Sequence, residues 1–227
     1  MAIQLVVFDI AGTTVKDKGN INEVFRKAFK NAGIDGVKVE DVDEVMGYKK
    51  IEAIKILLAK YKKGSEEDAA FINSIHNDFT RQMVSYYETT DDLESLPFAE
   101  EVFKELQSRQ VKVALNTGFT REITKPILKR LGWDNAPFIN EVVCSDEVPK
   151  GRPYPDMIKK IMKDFEIESA DEVAKIGDTK VDMEEGFNAS CGLVIGVTTG
   201  ACSKEDLLTG HPDFIIDSLK NLPSLIF

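Results

Sequence analysis

The sequence predicts an α/β protein, a doubly wound parallel sheet with an all-helical cap inserted after its first strand. Three observations carry this expectation. Short, nearly continuous apolar runs recur along the chain, each too brief for a helix and suited to strands buried on both faces. Amphipathic patterns with helical spacing lie between them. One long stretch, residues 15–94, carries helical periodicity and no strand signal.

The first strand is expected over residues 3–8, ending in Asp9-Ile10-Ala11-Gly12-Thr13-Thr14. Within the insert, Ile21, Val24, Phe25, Ala28 and Phe29 share one helical face, and Phe71, Ile75, Phe79 and Met83 share another. Ile51, Ile54 and Leu58 predict a third helix between them. Phe98, Val102, Phe103 and Leu106 then mark a helix with Pro97 in its first turn. Strands are expected at 111–115, 141–144, 173–176, 193–197 and 214–216. Helices are expected around Ile123–Ile127–Leu128–Leu131 and Met157–Ile158–Ile161–Met162–Phe165. Alternation of this kind gives right-handed crossovers and a Rossmann-like core. The expected division is residues 1–14 and 95–227 for the core and 15–94 for the cap.

Composition excludes several classes of function. The 227 residues hold 29 Lys and Arg against 39 Asp and Glu, a formal charge of −10, which disfavours non-specific nucleic-acid binding. Only His76 and His211 are present, so a histidine-rich zinc site is not available. Three cysteines, Cys144, Cys191 and Cys202, form no close-spaced metal motif and fit a reducing compartment. The N-terminal apolar run is too short for a secretion signal, and no stretch reaches the length of a membrane span. A cytoplasmic location without membrane contact is therefore expected.

In an open parallel sheet, ligands collect beyond the carboxyl ends of the strands. The residues there are Asp9 with Gly12-Thr13-Thr14, then Asn116-Thr117-Gly118. Lys150-Gly151-Arg152-Pro153 and Gly177-Asp178-Thr179, with Asp182 four positions after Asp178, complete the set. Carboxylates, hydroxyls, glycine amides and one guanidinium together suit phosphoryl chemistry on Mg²⁺. A hard cation takes oxygen ligands, and an aspartate beside it can attack phosphorus. Thr117 and nearby amides can hold the transferring oxygens while Arg152 offsets their charge. Taken singly, each residue has an ordinary reading as a turn residue, helix cap or solvated side chain. Four such strand ends in one sheet make coincidence a poor explanation.

These residues resemble the haloacid dehalogenase superfamily across essentially the whole chain. Val-Val-Phe-Asp9-Ile-Ala-Gly-Thr-Thr is similar to its nucleophile motif, Thr117 to its second-motif hydroxyl, and Gly177-Asp178-Thr179-Lys180-Val181-Asp182 to its acidic motif. The resemblance implies that Asp9 is the nucleophile. It implies Mg²⁺ held by Asp9, the Ala11 carbonyl and Asp178, with Asp182 in support. Two departures point to the phosphonatase-like branch, whose members cleave a carbon–phosphorus bond. Ala11 stands where phosphate-ester phosphatases carry a second aspartate, and Arg152 stands for the usual lysine. Thr-Gly-Phe-Thr-Arg (117–121) and Val-Pro-Lys-Gly-Arg-Pro-Tyr-Pro (148–155) extend the match.

That branch implies a cap lysine that forms a Schiff base with an aldehyde, and Lys50 in Met46-Gly47-Tyr48-Lys49-Lys50 falls at its position. Such a lysine must lose its proton to attack, so its pKa has to fall through desolvation or cationic neighbours. Ala11, Gly12, Thr13, Met46, Gly47, Asn116 and Gly118 are the expected substrate contacts. Other branch positions differ: the cap cysteine is Gly19 or Asn20, the histidine beyond the lysine is Ala53, and the tyrosine after Thr-Gly is Phe119. The leading expectation is a hydrolase of a small phosphonate such as phosphonoacetaldehyde or a relative. A phosphatase of small phosphate esters and a non-catalytic phospho-accepting protein are the alternatives. The branch implies a homodimer.

Overall fold

The computed structural model of the chain describes residues 2–227. Its sheet is built from β1 (Leu5–Asp9), β2 (Lys112–Thr117), β3 (Glu141–Cys144), β4 (Val173–Gly177), β5 (Leu193–Val197) and β6 (Phe214–Ile216). The strands are all parallel, in the order β3-β2-β1-β4-β5-β6. This is the Rossmann-like order, and its direction of winding reverses at β1 and β4. Leu5, Val6, Val7 and Phe8 are fully buried, which is why β1 reads as an unbroken apolar run rather than an alternating one.

Four helices leave the chain between β1 and the next core helix: α1 (Asn20–Asn31), α2 (Val39–Asp43), α3 (Lys50–Tyr61) and α4 (Ala69–Thr89). Phe25 packs against Phe29 and Phe79, joining α1 to α4. The chain enters and leaves this insert side by side, where Val15 pairs with Ser95 in an isolated antiparallel bridge. α4 also lies against α6 (Arg121–Leu131) of the sheet layer, and Arg130 donates to the Tyr87 carbonyl at 3.0 Å.

The remaining helices flank the sheet: α5 (Ala99–Ser108), α7 (Asp156–Asp164), α8 (Lys180–Asn188), α9 (Lys204–Thr209) and α10 (Pro223–Ile226). One hydrophobic cluster runs from one face of the sheet into the insert, and a smaller one on the other face collects Leu5, Val7, Met157 and Ile161. Among the described residues no helix is long and apolar enough to cross a membrane.

Each predicted strand is present, although β1 begins at Leu5 rather than Ile3. Pro97 does not occupy the first turn of α5. The helix starts at Ala99 behind Phe98, whose φ of 67° places it in the left-handed region, so Pro97 lies one residue outside the cap. α8 is the element the apolar pattern hides, because its buried face mixes Val181 and Met183 with Asp182, Glu185 and Gly186.

Phe103 anchors the sheet layer, with ring centroids 5.0 Å from Phe8, 5.6 Å from Trp133 and 6.3 Å from Phe138. Phe103→Ala is expected to lower unfolding free energy by about 3–5 kcal/mol through cavity formation, measured by urea denaturation of the two proteins.

Candidate active site

The two aspartates of the site stand at the winding reversal. Asp9 ends β1, and Asp178 follows β4, the neighbouring strand. Each is held by partners from other elements. Asp178 accepts from the Thr13 hydroxyl at 2.9 Å through Oδ1 and from the Ala201 amide at 2.8 Å through Oδ2. Asp9 Oδ1 accepts from Arg152 Nη1 at 2.6 Å. Burial pushes the Asp9 pKa up to about 6 against the pull of Arg152, and Asp182 adds to the rise. Burial also lifts Asp178 well above the usual carboxylate range, and the charges of Asp9 and Asp182 reinforce it.

Behind Asp9 lies a fully buried ionic network. Arg152 Nε donates to Glu185 at 2.8 Å. Its Nη1 faces both Asp9 and Asp182, the latter at 3.1 Å, and its Nη2 donates to the Asn116 carbonyl at 2.9 Å and to Asn116 Oδ1 at 2.6 Å. The guanidinium thus makes four hydrogen bonds, all to protein acceptors, and an ion pair with Asp182. Lys175, in mid-strand β4, reaches Asn116 Oδ1 at 2.8 Å, Asp182 at 2.9 Å and Glu185 at 3.3 Å. Burial alone would raise the Asp182 pKa, yet Arg152 and Lys175 hold it below the ordinary value. With Asp178 included, four buried carboxylates face Arg152, Lys175 and, across the cavity, Lys50, leaving an excess of negative charge.

That excess, on hard oxygen donors, fits a divalent cation such as Mg²⁺. Asp9, Ala11 and Asp178 line one small cavity, of about 30 Å³, and can contribute oxygens to it. Asp182 does not share this position. Its Oδ1 faces Arg152 and Lys175, and its Oδ2 accepts from the Thr179 amide at 3.2 Å and the Thr179 hydroxyl. Asp182 therefore sits among the supporting cations rather than at the metal. Among the described residues no group of three or more Asp, Glu, His or Cys forms a cage by itself, so water and substrate would complete the coordination.

The insert closes the other side of the same cavity. Gly47 adopts φ +84°, a conformation that favours glycine, and a side chain there would strike Thr179 Oγ1 and Val181. A Cβ on Gly118 would lie 2.5 Å from the Tyr48 carbonyl oxygen, so the turn after β2 admits the insert loop only as glycine. Lys49 Nζ donates across the gap to the Val148 carbonyl at 3.2 Å. These contacts bring Met46, Gly47 and Lys50 into the lining opposite Asp9.

Lys50 opens α3 and is only 4% exposed. Its Nζ lies 5.2 Å from the Phe119 ring centroid and 6.0 Å from that of Phe25, with the Tyr48 carbonyl at 3.5 Å. Burial lowers its pKa to about 8; Asp9 opposes the shift and Arg152 adds to it. Thr117 Oγ1 accepts from the Phe119 amide at 3.1 Å, leaving its hydroxyl proton free for an anion in the cavity.

Asp9, Ala11, Met46, Gly47, Lys50, Thr117, Gly118, Arg152 and Asp178 from the sequence reading therefore meet in one place. Gly12, Thr13 and Asn116 do not line the cavity, contrary to expectation. The Gly12 amide donates to Val15, Thr13 orients Asp178, and the Asn116 amide group donates to Glu185 at 2.9 and 3.0 Å. Arg152 lines the cavity as well, and its four hydrogen bonds run to protein acceptors, Asp9 among them. Sequence reasoning missed Lys175, Glu185 and Asp17. A lone lysine inside the apolar run 173–176 was the one available signal for the buried network.

The profile of the haloacid dehalogenase-like hydrolase family matches residues 6–195. A curated phosphonoacetaldehyde hydrolase from Bacillus mycoides is 31% identical over 93% of this chain and 83% of its own. Another, from Parabacteroides distasonis, is 28% identical over 97% of this chain and 94% of its own. The crystal structure of a phosphonoacetaldehyde hydrolase-like protein from Oleispira antarctica superposes with a TM-score of 0.82 at 24% identity, covering 100% of this chain and 92% of that one.

Two stability outcomes follow from the buried charges. Arg152→Lys removes at least one of the four buried hydrogen bonds to Asp9, Asn116 and Glu185, because an ammonium has only three donors, and is expected to lower unfolding free energy by roughly 2–4 kcal/mol in urea titrations. Lys50→Met is expected to act in the opposite direction. The unfolded chain keeps the Lys50 proton up to about 10.5 and the folded protein only up to about 8, so burial opposes folding fully below pH 8. The substitution should add about 3 kcal/mol at pH 7, a gain that shrinks as pH rises from about 8 toward 10.5. Unfolding free energies of both proteins at pH 7 and pH 10 measure it.

Proposed function

Because the chain belongs to the haloacid dehalogenase-like hydrolases, we propose that it is a phosphonatase-like hydrolase of a small phosphonate bearing an aldehyde, phosphonoacetaldehyde or a relative. The observation that carries this reading is the position of Lys50. It is a buried lysine with a pKa lowered to about 8, facing Asp9 across one cavity whose second acidic position is Ala11. An alkoxide leaving group would need a proton donor, worth about 10²–10⁴-fold, and Ala11 supplies none. An imine at Lys50 removes that requirement.

The neutral Lys50 amine attacks the aldehyde carbon, and the adduct takes up the proton that Lys50 gave up and loses water to leave an iminium cation. Asp9 Oδ2 then attacks phosphorus while Arg152 fixes Oδ1. The carbon–phosphorus bond breaks, and its electron pair moves into the iminium to give an enamine on Lys50 and a phosphoryl group on Asp9. Water takes the phosphoryl group from Asp9 and releases phosphate. Protonation of the enamine at carbon and hydrolysis of the resulting iminium free the new aldehyde and restore Lys50. Thr117 and the Gly118 amide hold the phosphoryl oxygens. Mg²⁺ at Asp9, the Ala11 carbonyl and Asp178 would neutralise charge on the phosphoryl group, with Asp182 steadying Arg152 and Lys175 behind it.

Incubation with phosphonoacetaldehyde and Mg²⁺ is expected to release phosphate, and borohydride should trap an adduct mapped to Lys50 by peptide mass. Asp9→Asn should abolish phosphate release and keep the adduct; Lys50→Arg should abolish both. Phosphate release from simple esters with no adduct would replace this reading with that of a phosphatase. Release from the aldehyde should rise with pH toward about 8 as Lys50 loses its proton.

A further inference from the structure

The cavity holds one titratable side chain that the reaction above leaves unassigned. Asp17 lies on the segment joining β1 to α1, close to where the chain enters the insert, and it lines the cavity together with Lys50. Its Oδ1 accepts from the Gly19 amide at 3.0 Å, which fixes the carboxylate beside the start of α1. We propose that Asp17 is the proton carrier for Lys50, taking the proton that frees the amine and returning it to the departing oxygen. This rests on Lys50 forming an imine.

Elimination among the lining groups supports the assignment. Asp9 is engaged in attack on phosphorus, and Asp178 is tied to Thr13 and Ala201 at the metal end. Arg152 stays charged and directs four hydrogen bonds at the protein, so it carries no proton to Lys50. Around Lys50 itself the walls are Ile21, Met46, Phe25 and Phe119, none of which exchanges protons. Ala53 and Phe119 leave no histidine or phenol at the positions where the phosphonatase-like branch carries them. The charged and titratable groups that act on the pair are Asp9, Asp178, Arg152 and, from α4, Tyr87 and His76, the last of which does not line the cavity. Burial raises the Asp17 pKa while the amides of the α1 start and Lys50 oppose it, so the carboxyl is a better proton acceptor than a solvated aspartate.

The proton balance closes on one carboxylate. Asp17 takes a proton from the Lys50 ammonium, and the amine lone pair forms the carbon–nitrogen bond as the carbonyl π pair moves to oxygen. Asp17 gives the proton to that oxygen and removes a second one from nitrogen. It then protonates the hydroxyl, which leaves as water while nitrogen forms the iminium. Ammonium and aldehyde become iminium and water with no net proton released, and Asp17 ends ionised as it began.

The test isolates imine formation, using acetaldehyde and borohydride on the full chain without phosphonate or metal, with adduct followed by intact mass. Asp17→Asn is expected to slow adduct formation by about 10²-fold, the scale of a lost general base, with unchanged thermal melting. Asp17→Glu should recover most of the rate, and added formate should accelerate Asp17→Ala but not the unsubstituted protein. An adduct that forms equally fast in Asp17→Asn overturns the role of Asp17 and leaves the Lys50 reading standing. Slow trapping that neither glutamate nor formate restores also overturns it, since the carboxylate would then be only a helix cap. If the unsubstituted protein gives no adduct, the Lys50 reading falls and this one with it.

Discussion

The guanidinium of Arg152 is the part on which the site depends. It ties the end of β1 through Asp9, the end of β2 through Asn116, and α8 through Asp182 and Glu185. These elements come from distant parts of the chain and would otherwise present carboxylates to one another in a water-poor interior. Desolvation of so many charges is unfavourable, and such clusters persist only when donors and acceptors match almost completely. Here the match leaves negative charge over on the cavity side, at Asp9 and Asp178. The same network that stabilises the sheet ends therefore also prepares the cavity for cations and electrophiles.

The second half of the cavity is supplied by the insert through small residues. Gly47 and Gly118 let two backbones meet without side chains between them, and this places Lys50 under aromatic rings rather than in water. Its lowered pKa is thus a product of closure. An open insert would return the ammonium to solvent and to its ordinary proton affinity. The proton affinity of this nitrogen and the exclusion of water are linked through the same contacts.

Much of the fold could be read directly, because a parallel sheet buried on both faces writes itself as short apolar runs. Asp9 and Asp178 were legible for a related reason: they are the first polar residues after such runs. Lys175 and Glu185 were not, since their partners lie far away in sequence, and only the strand register brings Asp9 opposite Asn116. Asn116, Gly12 and Thr13 were placed against substrate because strand-end position gives proximity and not direction. Asp17 escaped notice as one aspartate in an acidic chain. α8 was hidden because a helix whose inward face carries Asp182 and Glu185 has no apolar stripe to display. Polar burial of that kind is a mark of function and a blind spot of hydrophobic patterning.

The four hydrogen bonds of Arg152 have a further consequence for how such a site changes over generations. A lysine at this position has three donors in place of five, so the exchange would cost bonds to Asp9, Asn116 or Glu185 unless they change as well. These positions are expected to tolerate replacement together better than singly. Met46, Gly47 and Lys50 of the insert make no hydrogen bond to any of them. The half of the cavity built on the sheet is thereby constrained, while the half built on the insert has fewer partners to carry along when it changes.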